Sequence, residues 1–215
     1  MSVITVERKV LEKNDEIAGL LRKEFAKHQI LVLNLLSSPG SGKTTLLERT
    51  LEHLQSRIRT AVIEGDVQTD HDARRIARYD VPVVQIVTNG SCHLDAQLVR
   101  DAVTNITLEN IQLLFIENVG NLVCPASFDL GEKHKVVIVS TTEGDDKPVK
   151  YPYMFRASDV CILNKIDLLE YVEFDTDQFI KNAESINPDL RFFKLSAKTG
   201  DGLEGWYEWL EEHIH

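Results

Sequence analysis

Ser37-Ser38-Pro39-Gly40-Ser41-Gly42-Lys43-Thr44 stands where the apolar run Ile30-Leu31-Val32-Leu33-Asn34-Leu35-Leu36 gives way to a helical pattern. A glycine- and serine-rich turn between a buried strand and a helix, closed by Lys-Thr, is an arrangement that wraps phosphate. Its backbone N–H groups surround a β-phosphate, Lys43 reaches β- and γ-oxygens, and the Thr44 hydroxyl is placed to ligate Mg²⁺. Gly40, Ser41, Gly42, Lys43, Thr44 and Thr45 are the candidate phosphate contacts. The template has glycine five residues before Gly42, and Ser37 stands there instead. The chain is expected to bind a nucleoside triphosphate, with Lys43 facing the ligand and not the core.

Two distant segments speak to the base. Asn164-Lys165-Ile166-Asp167 follows a second apolar run, Val160-Cys161-Ile162-Leu163. The Asp167 carboxylate can accept from both N1–H and the exocyclic amine of guanine, whereas adenine would leave it unpaired. Asn164 would reach the purine edge and tie the loop, and the Lys165 stem would lie along the base. Ser196-Ala197-Lys198, after the strand-like Leu190 to Leu195, resembles a companion segment whose Ala197 N–H donates to guanine O6. In this order, each at a strand end, the segments specify GTP.

The 215 residues are 43% hydrophobic, enough for a full core, and one domain over 1–215 is the economical reading. A formal charge of −10 disfavours nucleic acid, a polyanion, and favours metal cations and basic protein surfaces. Membrane-length apolar runs are missing, and the first residues lack the pattern of a secretory signal. Three cysteines make no disulfide framework, so a reducing cytoplasm is expected.

Apolar runs alternate with helical periodicities throughout. Strands are expected at Thr60 to Glu64, Val81 to Val87, Gln112 to Glu117, Lys135 to Ser140, Asp159 to Leu163 and Arg191 to Leu195. Helices are expected at Lys43 to Gln55, Asp70 to Tyr79, His93 to Thr104, Asp175 to Ile186 and Leu203 to Glu212. The fold class is α/β, a mostly parallel sheet with helices on both faces and ligand loops at the strand C-termini. Residues 6–28 form an amphipathic helix with Val10, Ile17, Leu20, Leu21 and Phe25 in register; it caps the sheet or meets a partner.

A second chemistry lies beside these loops. Cys92-His93 stands at the expected entrance of a helix, and Cys124-Pro125 follows four residues after Gly120. Glu117-Asn118-Val119-Gly120 occupies the place of the segment whose glycine N–H senses a γ-phosphate, which would wire Cys124 to the nucleotide state. Two thiolates and an imidazole suit Zn²⁺ or Ni²⁺, and three ligands leave a position open or invite a second copy. Cysteines also serve as small buried hydrophobes, the reading assigned to Cys161 inside its apolar run.

Together, Ser37 to Thr44, Glu64-Gly65-Asp66, Asn89-Gly90-Ser91-Cys92-His93-Leu94-Asp95-Ala96, Glu117 to Pro125 and Asn164 to Asp167 resemble the HypB family. These are the GTPases of nickel insertion into nickel-iron hydrogenase. The resemblance spans about residues 30 to 200 and implies a P-loop NTPase of the SIMIBI class. It implies a homodimer promoted by GTP, with Cys92, His93 and Cys124 as nickel or zinc ligands at the dimer interface. It further implies a HypA-like maturation partner and the hydrogenase large subunit precursor. Some members add a histidine-rich tract or an N-terminal Cys-x-x-Cys; these residues contain neither.

Hydrolysis would rest on positioning and charge neutralisation. Lys43 and Mg²⁺, held by Thr44 with Asp66 and Glu117, offset the developing charge. Asn121, not glutamine, follows Gly120, so water is assigned to the Asp66 to Asp72 segment, with Asp72 as the candidate by resemblance and Asp70 next. Two alternatives stay open: a P-loop kinase, which has no use for Asn-Lys-x-Asp, and a regulatory GTPase with structural cysteines.

Overall fold

The computed structural model describes residues 6–55, 57–68 and 71–214. Among them, seven strands form one sheet: β1 (Leu31–Ser37), β2 (Thr60–Asp66), β3 (Val83–Val87), β4 (Leu113–Glu117), β5 (His134–Ser140), β6 (Val160–Asn164) and β7 (Arg191–Lys194). The helices are α1 (Val6–Lys27), α2 (Lys43–Leu54), α3 (His71–Ile76), α4 (Ala96–Val103), α5 (Lys147–Lys150), α6 (Pro152–Ala157), α7 (Thr176–Glu184) and α8 (Leu203–His213). Strand order is β3-β2-β4-β1-β5-β6-β7, and every neighbouring pair is parallel. A parallel sheet must be covered on both faces, which is why its inner strands read as mostly apolar runs, while the edge strands β3 and β7 are less buried.

β1 is buried at every position, and its side chains alternate between the two faces. Leu31, Leu33 and Leu35 join Leu47 of α2 and Trp206 of α8. Val32 faces the opposite way, toward Leu21 and Phe25 of α1, and Leu36 packs with Phe155 and Phe179 of α6 and α7. The loops at the strand C-termini therefore converge on one edge, held by cores on both sides.

α1 caps the sheet. Asn14 Oδ1 accepts the Ala96 N–H at 2.8 Å, and its Nδ2 donates to the Asp129 carbonyl at 2.8 Å. Arg22 pairs with both Asp129 oxygens at 2.6 and 2.7 Å. Val10 and Leu20 lie on the outward side, 50% and 57% exposed.

Several boundaries differ from expectation. The helix expected from His93 begins at Ala96, because Asp95 caps it by accepting the Leu98 N–H at 2.8 Å. Cys92 and His93 therefore lie in a loop free to take ligand geometry. The helix expected over Asp70 to Tyr79 runs from His71 to Ile76, then tightens into a 3₁₀ turn ending at Asp80 with φ of 54°; Asp70 lies outside the described residues. The β3 strand starts after Pro82, whose ring nitrogen cannot join the ladder. The sequence reading lacks α5 and α6, each shorter than two helical turns and opening on proline or one residue before it.

Asn14→Ala should strip two buried backbone groups of partners and lower stability by about 2 kcal/mol. Urea unfolding measures this; an unchanged midpoint would show that α1 docks by apolar contact alone.

Candidate nucleotide and metal sites

The phosphate loop leaves β1 at Ser37 and returns at Lys43, the first residue of α2. Gly40 and Gly42 take φ of 77° and 94°, values that suit glycine. A Cβ on Gly42 would also run into the Asn164 side-chain amide. That amide donates to the Ser41 carbonyl at 2.8 Å, and Lys165 Nζ donates to the Gly40 carbonyl at 2.7 Å. The base-reading segment thus supports the phosphate loop directly. Ser41 Oγ is buried without a hydrogen-bond partner, an orphan that a phosphate oxygen would satisfy.

Around the base position the contacts are mutual. Asp167 Oδ1 accepts the Ser196 hydroxyl at 2.6 Å, and Ser196 Oγ accepts the Thr199 N–H at 3.1 Å. The Ala197 N–H, assigned above to guanine O6, donates to Asn164 Oδ1 at 3.0 Å. Arg49 of α2, which the sequence reading passed over, holds the Ala197 and Lys198 carbonyls at 3.1 Å each.

The phosphate loop, Glu64, Asp72, Arg75 and Gly120 line a cavity of about 590 Å³. At its floor Glu117 Oε1 accepts from Lys43 Nζ at 2.6 Å and from Thr44 Oγ1 at 2.7 Å. Lys43 lines the cavity, and its contact with Glu117 is enclosed: its side chain is 12% exposed and its partner's 0%. Burial opposes the Lys43 charge, yet Glu117 and then Glu64 hold its pKa above the usual value. Burial and the adjacent Glu117 push Glu64 up, while Lys43 draws Glu117 down against burial. The same burial thus disfavours charge on Glu64, while the Lys43 contact favours it on Glu117.

Oxygens of Glu64, Asp72 and Glu117 lie within 4.8 Å of one another. Glu64 Oε2 and Glu117 Oε2 are buried without partners, as a donor set for a hard cation would be. Asp66 is outside this group, although it lines the same cavity; its Oδ1 accepts the Gln68 N–H at 2.8 Å. Glu64 was visible only as part of a motif. Arg75 carried no signal: it donates to Asp72 at 3.2 Å, Glu48 at 2.6 Å and Thr45 at 3.4 Å.

Ligand atoms of Cys92, His93 and Cys124 come within 4.8 Å of one another, so two loops from different strands meet. Cys92 Sγ is 3.7 Å from His93 Nδ1. The His93 ring stacks on Phe128 with centroids 3.9 Å apart, a contact with no sequence signature. Burial lowers the His93 pKa, keeping a lone pair for a metal. A hydrogen bond with Cys92 raises the Cys124 thiol, so ligation would release a proton. Cys161 is fully buried in β6, and burial alone raises its thiol well above the usual range. The two loops join through a short segment. A Cβ on Gly120 would stand 3.1–3.3 Å from Pro39 of the phosphate loop. Asn121 Oδ1 then accepts the Val123 N–H at 2.7 Å and the Cys124 N–H at 3.4 Å.

Residues 31–194 match the model of the CobW/HypB/UreG nucleotide-binding domain. The hydrogenase maturation factor HypB of Escherichia coli (strain K12) is 53% identical over 209 residues, 97% of this chain and 72% of that protein. The crystal structure of HypB from Helicobacter pylori in complex with nickel matches with a TM-score of 0.89 at 39% identity, covering 93% of this chain and 94% of that one. The signal recognition particle receptor FtsY of Elizabethkingia anophelis, 14% identical, matches with a TM-score of 0.56 over 89% of this chain and 67% of that one. This last likeness concerns the fold alone, a SIMIBI-class P-loop architecture. The chain belongs to the HypB family of hydrogenase maturation factors.

Proposed function

We propose that this protein hydrolyses GTP and uses the nucleotide state to take up and release nickel during hydrogenase maturation, with Zn²⁺ as the competing metal. One observation carries the reading: the loop that packs Gly120 on Pro39 brings Cys124 into reach of Cys92 and His93 four residues later. A ligand sensed at Gly120 therefore lies a few bonds from a metal ligand. The relative from Helicobacter pylori, described in complex with nickel, supports that cargo.

The binding roles follow from chemistry. Gly40, Ser41, Gly42, Lys43, Thr44 and Thr45 hold phosphates; Asn164, Lys165, Asp167, Ser196, Ala197 and Lys198 surround guanine. Thr44 and Glu117 would hold Mg²⁺, which neutralises phosphate charge when bound, with Glu64 and Asp72 close enough to join them and Asp66 more remote. For hydrolysis Lys43 leaves Glu117 to meet the γ-phosphate, and Asp72, steadied by Arg75, orients water. With three protein ligands, a tetrahedral or square-planar metal needs another donor, and a second copy offers one. A GTP-promoted homodimer completes the site in this way. Its partners are a HypA-like protein and the hydrogenase large subunit precursor, met in the cytoplasm. No helix among the described residues is long and apolar enough to cross a membrane.

Asp167→Asn should weaken GTP binding by more than about tenfold, since a charge-assisted pair becomes a mismatched amide. Equal affinity of the native protein for ATP and GTP would overturn the guanine assignment.

Lys43→Ala should abolish phosphate release from GTP and, by leaving Glu117 buried without its cation, destabilise the empty protein by about 3 kcal/mol. Turnover at the native rate would mean that the loop is not the phosphate site.

Metal titrations with GDP and with a nonhydrolysable GTP analogue should give affinities differing by at least about fivefold, with dimer in the GTP state by light scattering. Identical titrations and an unchanged oligomeric state would remove the switch.

A further inference from the structure

Asn118 follows the last residue of β4 and has no exposed surface. Its Oδ1 accepts two backbone N–H groups, from Val119 at 2.9 Å and from Leu94 at 3.1 Å. Val119 precedes Gly120 of the nucleotide loop, and Leu94 follows Cys92-His93 of the metal loop. One carbonyl oxygen thus holds the backbones of both. The other end of the amide is fixed as well. Asn118 Nδ2 donates to Asn34 Oδ1 at 3.2 Å, and Asn34 Nδ2 donates to Glu132 Oε1 at 3.2 Å. Asn34 lies in β1, three residues before the end of that strand at the phosphate loop. The amide cannot rotate without breaking this chain, so its oxygen is a fixed point.

The Leu94 side chain makes a second connection. It is wholly buried, and a Cβ on Gly65 would meet its methyl carbons at 2.8 and 2.9 Å. Gly65 lies between Glu64 and Asp66, which both line the nucleotide cavity. The covalent route from Gly120 to Cys124 passes Val123, which is 60% exposed, and is tied only by the Asn121 side chain within the same loop. A buried hydrogen bond cannot absorb movement. If Val119 moves with Gly120, either Asn118 follows and displaces Leu94, or a buried N–H loses its acceptor, at a cost exceeding what a coupling of about fivefold needs.

Resting on the reading of this chain as a GTP-gated metal carrier, we propose that Asn118 is the positioning residue through which the nucleotide state reaches Cys92 and His93. Its role is neither to bind nucleotide nor to bind metal but to make the two affinities depend on each other.

The test is Zn²⁺ titration against a chromophoric chelator, with GDP and with a nonhydrolysable GTP analogue, on the native protein, Asn118→Leu and Asn118→Asp. Leucine fills the volume without an acceptor; aspartate keeps the acceptor and loses the donor to Asn34. Asn118→Leu should bring the ratio of the two Zn²⁺ affinities to within about twofold of one, while GDP-state Zn²⁺ affinity and GTP affinity each change by less than about threefold. Asn118→Asp should keep a ratio above that of the leucine variant. A native ratio retained by Asn118→Leu overturns this role for Asn118 and leaves the switch standing; a native ratio of one removes both. Should Asn118→Leu fail to fold, amide hydrogen exchange of the native protein decides. Leu94 and Val119 protection should change together when the analogue replaces GDP, and a change at Val119 alone overturns the proposal.

Discussion

A carboxylate with no exposure, Glu117, stands at the end of β4 under the phosphate loop, and its charge is tolerable there because Lys43 and Thr44 reach it. Much of the site follows from that constraint. The ion pair ties the start of α2, which follows the central strand β1, to the end of β4, and it keeps Lys43 inside the protein. Burial and the adjacent Glu117 push the neighbouring Glu64 up, toward its neutral form.

The all-parallel sheet decides where this chemistry can be read out. Each strand delivers its following loop to the same edge, so neighbours in the sheet order become neighbours at the site. β4 lies between β2 and β1, and the loop after it touches Pro39 on one side and, through Asn118, the loop after β3 on the other. The cluster of residues 92, 93 and 124 joins positions widely separated in sequence; the parallel sheet brings the loops after β3 and β4 to one edge, and the Asn118–Leu94 hydrogen bond and the His93–Phe128 stack hold them together there.

The sequence made much of this legible and some of it not. The phosphate loop and the Asn164 to Asp167 segment are local: their chemistry depends on spacing along the chain, and the structure places them together. The strands read well because burial on both faces leaves no polar interruption; Asn34 in β1 is an exception, and it belongs to a buried amide network. Helix starts were less legible. One cap, Asp95, starts the helix at Ala96 and leaves His93, expected as its first residue, in the loop with Cys92. Glu64, Arg75, Arg49 and Phe128 act through contacts between elements, and no spacing announces such contacts. The same is true of Lys43: its motif names the ligand it serves, whereas the partner it keeps in the empty protein lies on another strand.

Asp66 and Glu64 show how a period of two sharpens a motif. They flank Gly65 on β2, so both side chains point to the same face of the sheet, yet they stand at different heights above it. Glu64 is level with Glu117 in the ladder between β2 and β4, so their carboxyls meet. Asp66 lies one full repeat further out, past the end of β4, where its Oδ1 accepts the N–H of Gln68. Asp72 of α3 lies in the company of Glu64 and Glu117. A Glu-Gly-Asp triplet therefore divides its labour by register: the inner carboxyl meets Glu117 and Asp72 at the cavity, and the outer one holds the backbone just past the strand.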